Sequence, residues 1–204
     1  MITMQQVVII HGGETFDSYQ MYLENLRVKQ VDFSKRMAQD WKQHLPERLG
    51  QVCEVIAPSM PCKQNAKYLE WKIWFEKFIP LLRDGVILIG HSLGGIFLVK
   101  YLSENTLPIV VQATFLVGAP CNTPTQHPIA DFVLTQPLNG FAQQAGVMVL
   151  FHSHDDEIVP FSNAQKYAEL LPDAHLQAFE NRGHFNDETF PELEDKLREL
   201  CRKS

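Results

Sequence analysis

Short runs of β-branched and aliphatic residues alternate along the chain with longer stretches in which apolar residues return every three or four positions. Six runs of the first kind stand out: 7–11 "VVIIH", 52–58 "VCEVIAP", 85–90 "GVILIG", 110–120 "VVQATFLVGAP", 147–153 "VMVLFHS" and 174–179 "AHLQAF". A strand with one wet face alternates apolar and polar residues, whereas these runs are nearly continuous. That pattern predicts strands covered on both faces, as in a parallel sheet. Between them, Phe33, Met37, Trp41 and Leu45 fall on one side of a helix. The stretch 68–82 carries Leu69, Ile73, Trp74, Phe78 and Leu81 at helical spacing and stops at Asp84-Gly85, so its aromatics are expected in the core. The runs 96–102 and 161–171 read as further helices, the second ending before Pro172. Thr189 and Glu192 have the spacing of a capping box, with Pro191 in the first turn of a last helix. Strand and helix in alternation predict an α/β fold, a three-layer α/β/α sandwich on a mainly parallel sheet of about six strands. The 204 residues suit one domain, 1–204.

In such sheets a ligand site lies beyond the carboxyl ends of the strands. The third run ends in Gly90-His91-Ser92-Leu93-Gly94, followed by Gly95. A serine at the apex of a strand-turn-helix elbow needs small neighbours, because backbone passes close on both sides. The five-residue string also arises in ordinary turns, and there Ser92 would be a helix cap. A serine hydroxyl is a poor nucleophile until a base accepts its proton and an acid orients that base. Two other strand ends supply both. After the fifth run comes His154-Asp155-Asp156-Glu157-Ile158-Val159-Pro160, and after the sixth comes Glu180-Asn181-Arg182-Gly183-His184-Phe185. The order Ser, Asp, His is the one that accompanies the serine elbow.

Net charge changes the list of partners. At −6 the chain offers no basic stripe for phosphates, so no nucleic acid is expected. No run approaches the roughly 20 apolar residues of a membrane span. The first residues, "MITMQQVVIIHGG", show neither a basic leader nor a cleavage site and read as the first strand, so a cytoplasmic location is expected. Cys53, Cys62, Cys121 and Cys201 form no C-x-x-C pair and are expected to be reduced thiols.

"IIHGG", "GHSLGG", "HDDEIVP" and "GHF" together resemble the α/β-hydrolase superfamily. The tryptophan-bearing helix before the elbow and "GHFNDETFPEL" resemble more closely the small serine hydrolases related to retinoblastoma-binding protein 9. The resemblance implies a lidless sandwich that cleaves small acyl esters or related substrates through Ser92, Asp156 and His184, and that triad chemistry needs no cofactor. In the superfamily the acid sits in a D-x-x-V-P turn, which Asp156 fits through Val159 and Pro160 and Asp155 does not. Asp155 is expected to be solvated or to brace that turn. His11 and His91 are expected to be hydrogen-bonding residues beside the elbow.

An oxyanion needs two preplaced donors. Leu93 N–H is one candidate; Gly13 N–H, or Glu14 N–H in a tighter turn, is the other. Substrate choice is expected from the loop after Gly13, including Glu14, and from the connection 120–146 with Phe132, Val133, Leu134, Leu138 and Phe141. The latter reads either as a small helical flap, placing Phe132 and Phe141 in an acyl pocket, or as a cover for the sheet edge.

Two readings from other classes remain. His152, His154 and Asp156 match the start of H-x-H-x-D-H, a zinc-hydrolase spacing, although Glu157 replaces the last histidine. A non-catalytic binding protein with the same shell is the other. The complete Ser-Asp-His set argues against it.

Overall fold

The six apolar runs form six strands of one sheet in a computed structural model that describes residues 4–30, 40–135 and 137–202. They are β1 (Gln5–Ile10), β2 (Cys53–Ile56), β3 (Val86–His91), β4 (Val111–Val117), β5 (Val147–Ser153) and β6 (His175–Phe179). The order is β2-β1-β3-β4-β5-β6, and every neighbouring pair is parallel. Chain order reverses beside β1 and β3, so the ends of these strands open a crevice. Seven α-helices accompany the sheet among the described residues: α1 (Tyr19–Val28), α2 (Trp41–Leu49), α3 (Tyr68–Glu76), α4 (Leu93–Glu104), α5 (Asn139–Gln144), α6 (Ser162–Leu170) and α7 (Pro191–Arg202).

Alternate residues of each strand feed opposite faces. Val8, Ile10, Leu88, Leu116 and Leu150 join a core with side chains of α3, α4, α5 and α6. Val7, Ile9, Ile89, Phe115 and Phe151 join a second core with Trp41, Leu45 and Leu49 of α2 and Leu193 and Leu197 of α7. Both faces are therefore covered, which is why the runs read as continuously apolar. Helix α4 is buried from Leu93 through Leu102, as a helix pressed between the sheet and further elements must be. No helix among the described residues is long and apolar enough to cross a membrane.

Three expectations change. In α3 the buried residues are Trp71 and Phe75, while Leu69, Ile73 and Trp74, and Leu81 beyond its end, are exposed. The run "WKIWF" offers two apolar faces, and edge-on packing of Trp71 and Phe75 against Phe97 selects the first. Helix α1 was not anticipated because it buries no residue and so leaves no apolar stripe. Pro191 opens α7 as expected, but Thr189 lies one residue too early to cap it, and Glu192 instead grips Arg182 at 2.5 and 2.6 Å. Phe33 and Met37 lie outside the described residues.

The connection 120–146 rests on α4. Lys100 Nζ donates to the Val133 carbonyl at 2.8 Å, and Phe132 and Phe141 are fully buried in the α4-side core. They pack against the sandwich and border no part of the Ser92 cleft, so the acyl-pocket expectation for both is corrected. Phe141→Ala should therefore cost about 3–5 kcal/mol of stability, read by urea unfolding, with KM for a short ester unchanged.

Candidate active site

Ser92 is the single residue between β3 and α4, and its backbone stands at φ 54, ψ −124. A residue with a Cβ held there stores about 1–3 kcal/mol of strain, which the surroundings must offset. Ser92 N–H donates to the Val117 carbonyl and Gly95 N–H to the Ser92 carbonyl, both at 2.8 Å. The glycines follow from the crowding. A Cβ on Gly94 would lie 2.2 Å from the Ile10 carbonyl oxygen, because α4 starts directly above β1.

Asp156 sits in the turn after β5, its side chain entirely shielded from solvent. A buried carboxylate is costly unless donors surround it. Oδ1 accepts from Ile158 N–H and Val159 N–H, both at 2.9 Å, and Oδ2 accepts from His184 Nδ1 at 2.8 Å. With Nδ1 donating, the neutral ring of His184 keeps its lone pair on Nε2. Gly118, at the end of β4 with φ +53, gives this pair room. A Cβ there would stand 3.2 Å from His184 Nδ1 and 3.3 Å from Asp156 Oδ2. Asp155 braces the loops: its Oδ1 accepts from Ser153 Oγ at 2.5 Å and from Gly183 N–H at 2.9 Å. The Ser153 hydroxyl holds its pKa below the usual carboxylate range.

Ser92, His184, His11, Gly13, Glu14 and Lys42 border one cleft of about 860 Å³. Two histidines in its wall have fixed roles. His11 Nε2 accepts from Met60 N–H at 2.8 Å, so its Nδ1 carries the proton and donates to the Gly12 carbonyl at 2.6 Å. His91 Nδ1 faces Lys42 Nζ at 3.2 Å, and its Nε2 faces the His184 carbonyl at 2.9 Å. Lys42 can only donate and the carbonyl only accept, so His91 is the neutral Nε2–H tautomer. Glu14 N–H is already donated to the Lys63 carbonyl at 2.8 Å, and its carboxylate pairs with Lys29 at 2.6 Å.

Burial holds His91 well below its ordinary pKa of 6.5, and the charge on Lys42 pushes the same way. Burial also lowers His11 and His152. Below pH 6.5 the unfolded chain takes up protons that these rings refuse, so stability is lost as pH falls. For His91 alone the loss approaches about 1.4 kcal/mol per pH unit in that window. Urea unfolding between about pH 7.5 and about pH 5.5 should show the decline, and His91→Gln should make it shallower.

His152, His154 and Asp156 do not converge on a metal position. His152 Nε2 lies 2.7 Å from the Val159 carbonyl, while His154 stacks on Phe161 with ring centroids 3.8 Å apart. No group of three such ligands occurs among the described residues. The residues that sequence reasoning passed over are Asp40 and Lys42. Asp40 and Gln43 form a capping box at the start of α2, a spacing visible in "DWKQ".

A model of the serine hydrolase family matches residues 31–201. The chain is 29% identical over 143 residues to serine hydrolase RBBP9 of Rattus norvegicus, covering 69% of this chain and 74% of that protein. It is 26% identical over 159 residues to YdeN of Bacillus subtilis, covering 75% and 82%. The crystal structure of the B. subtilis ydeN gene product superposes with a TM-score of 0.78 at 22% identity, over 97% of this chain and 99% of that one. A meta-cleavage product hydrolase of Pseudomonas fluorescens superposes at 0.66 with 15% identity, over 98% and 92%, and shares the fold.

Proposed function

The chain belongs to the serine hydrolase family, as a small member of the RBBP9 and YdeN type with the α/β-hydrolase fold, and from that premise we propose that it cleaves small acyl esters through an acyl-Ser92 intermediate. The observation that carries this reading is the 2.8 Å contact of His184 Nδ1 with Asp156, beside a serine held at φ 54 in the same cleft. His184 Nε2 accepts the Ser92 proton as Oγ attacks the carbonyl carbon. Asp156 stabilises the imidazolium, which then returns the proton to the departing alkoxide. Water deacylates Ser92 by the same route.

The oxyanion reading follows from two peptides. Leu93 N–H, at the first residue of α4, belongs to the amide groups that a helix start leaves unpaired. The second donor is Gly13 N–H, since Glu14 N–H is taken. Because the His11 ring holds the Gly12 carbonyl, the N–H of that trans peptide points the opposite way. His11 thus orients the donor.

The test is hydrolysis of a short-chain p-nitrophenyl ester by the wild type, Ser92→Ala and EDTA-treated protein. Activity that survives EDTA and vanishes with Ser92 supports the proposal. Activity lost to EDTA supports a metal site instead, and none in any sample supports the binding shell.

A further inference from the structure

The first turn of α2 holds the loop that carries His184. Trp41 Nε1–H donates to the Phe185 carbonyl, and Trp41 N–H to the Asp187 carbonyl, each at 2.9 Å. The adjacent residue, Lys42, is a lysine only 8% exposed. Its ammonium contacts Asp40 Oδ2 at 2.6 Å and His91 Nδ1 at 3.2 Å, and lies 4.9 Å from the Trp41 ring centre. Burial lowers its pKa while Asp40 opposes that. A lysine that serves only as filler would be replaced with advantage by an apolar side chain, since shielding an ammonium is costly.

We propose that Lys42 is a positioning residue that fixes the tautomer of His91 and, through His91 Nε2–H, holds the His184 carbonyl and with it the catalytic ring. The proposal rests on the Ser92-His184-Asp156 reading. A neutral imidazole has one N–H, and two placements compete. Were it on Nδ1, it would oppose the N–H groups of Lys42, and the Nε2 lone pair would oppose the His184 carbonyl oxygen. Lys42 penalises that state from one side and the carbonyl from the other. Without Lys42 one of the two penalties disappears, the Nδ1–H tautomer gains population against the remaining pull of the His184 carbonyl, and that carbonyl loses its donor for part of the time. The His91 and His184 rings, 5.0 Å apart between centroids, then shift relative to each other. Asp40 completes the device by accepting both the Lys42 backbone N–H at 2.9 Å and its ammonium.

The experiment compares wild type with Lys42→Met, His91→Leu, His91→Gln and the Lys42→Met/His91→Leu pair. Measured are p-nitrophenyl ester kinetics, fluorophosphonate labelling rate, thermal unfolding and the His91 tautomer from ¹H–¹⁵N correlation of histidine-labelled protein. We expect Lys42→Met to remain folded, to show mixed His91 tautomers, and to lose roughly 10–100-fold in kcat and labelling rate with KM within about twofold. The double variant should be no slower than His91→Leu, and His91→Gln, whose amide still donates to the His184 carbonyl, should recover most of the rate. A Lys42→Met enzyme with a raised KM and full kcat would overturn the proposal in favour of substrate contact. An unchanged His91 tautomer, or lowered stability with full kcat, would overturn it in favour of packing. Wild type that fails to label would instead remove the serine reading itself, and this inference with it.

Discussion

Ser92→Ala is expected to lower ester hydrolysis by about 10⁶ in kcat while leaving the fold intact. The size follows from the dependence of every covalent step on one oxygen: without Oγ no acyl-enzyme forms, and only the oxyanion donors and substrate binding remain to assist direct attack by water. A companion variant separates chemistry from strain. Alanine keeps a Cβ at φ 54 and inherits the strain of the elbow, whereas glycine accepts that backbone freely. Ser92→Gly should be equally inactive yet more stable than Ser92→Ala by about 1 kcal/mol, because the relieved strain exceeds the entropy cost of glycine. A Ser92→Gly variant less stable than Ser92→Ala, by the entropy cost of glycine alone, would mean that the elbow is unstrained.

Asp156→Asn should cost about 10⁴ in kcat with a small change in KM. The carboxylate now accepts from His184 Nδ1 and from two backbone amides. An asparagine oxygen can satisfy the amides of Ile158 and Val159, which leaves its NH₂ facing His184. That donor forces the imidazole to accept on Nδ1 and to carry its proton on Nε2, the atom that must take the proton from Ser92. Asp155→Asn is the internal comparison. Its side chain holds Gly183 N–H from an exposed position, so its loss should be felt far less, and equal losses at the two positions would contradict the assignment of Asp156. Steady-state kinetics on one ester settles both.

The sheet was legible because burial on both faces writes itself into consecutive residues: Val7, Val8, Ile9 and Ile10 are all apolar because odd and even positions meet different cores. The elbow was legible for a steric reason, since Gly94 sits where any Cβ would collide with Ile10. Helices that pack by one stripe were read less well. "WKIWF" offers two stripes, and only the positions of Phe97 and Phe132 decide that Trp71 faces inward. Helix α1 contributes no buried residue and so carried no signal. At the site, Ser92, Asp156 and His184 are candidates because of the strand ends they follow, and the fold brings His184 Nδ1 within 2.8 Å of Asp156. Lys42 carries no such mark, because its pairing with His91, a residue already expected to hydrogen-bond beside the elbow, spans 49 residues of sequence and exists only once α2 lies against the elbow. Phe132 and Phe141 show the converse: apolar residues in a long connection look the same whether they meet an acyl chain or α4.

The most direct test of the account is covalent labelling of the purified protein with a fluorophosphonate, read by intact mass and by mapping of the modified peptide. One phosphonyl group per chain, on Ser92, unaffected by EDTA and absent from Ser92→Ala, is the predicted result. A folded protein that stays unlabelled, or that carries the group on another residue, would contradict it.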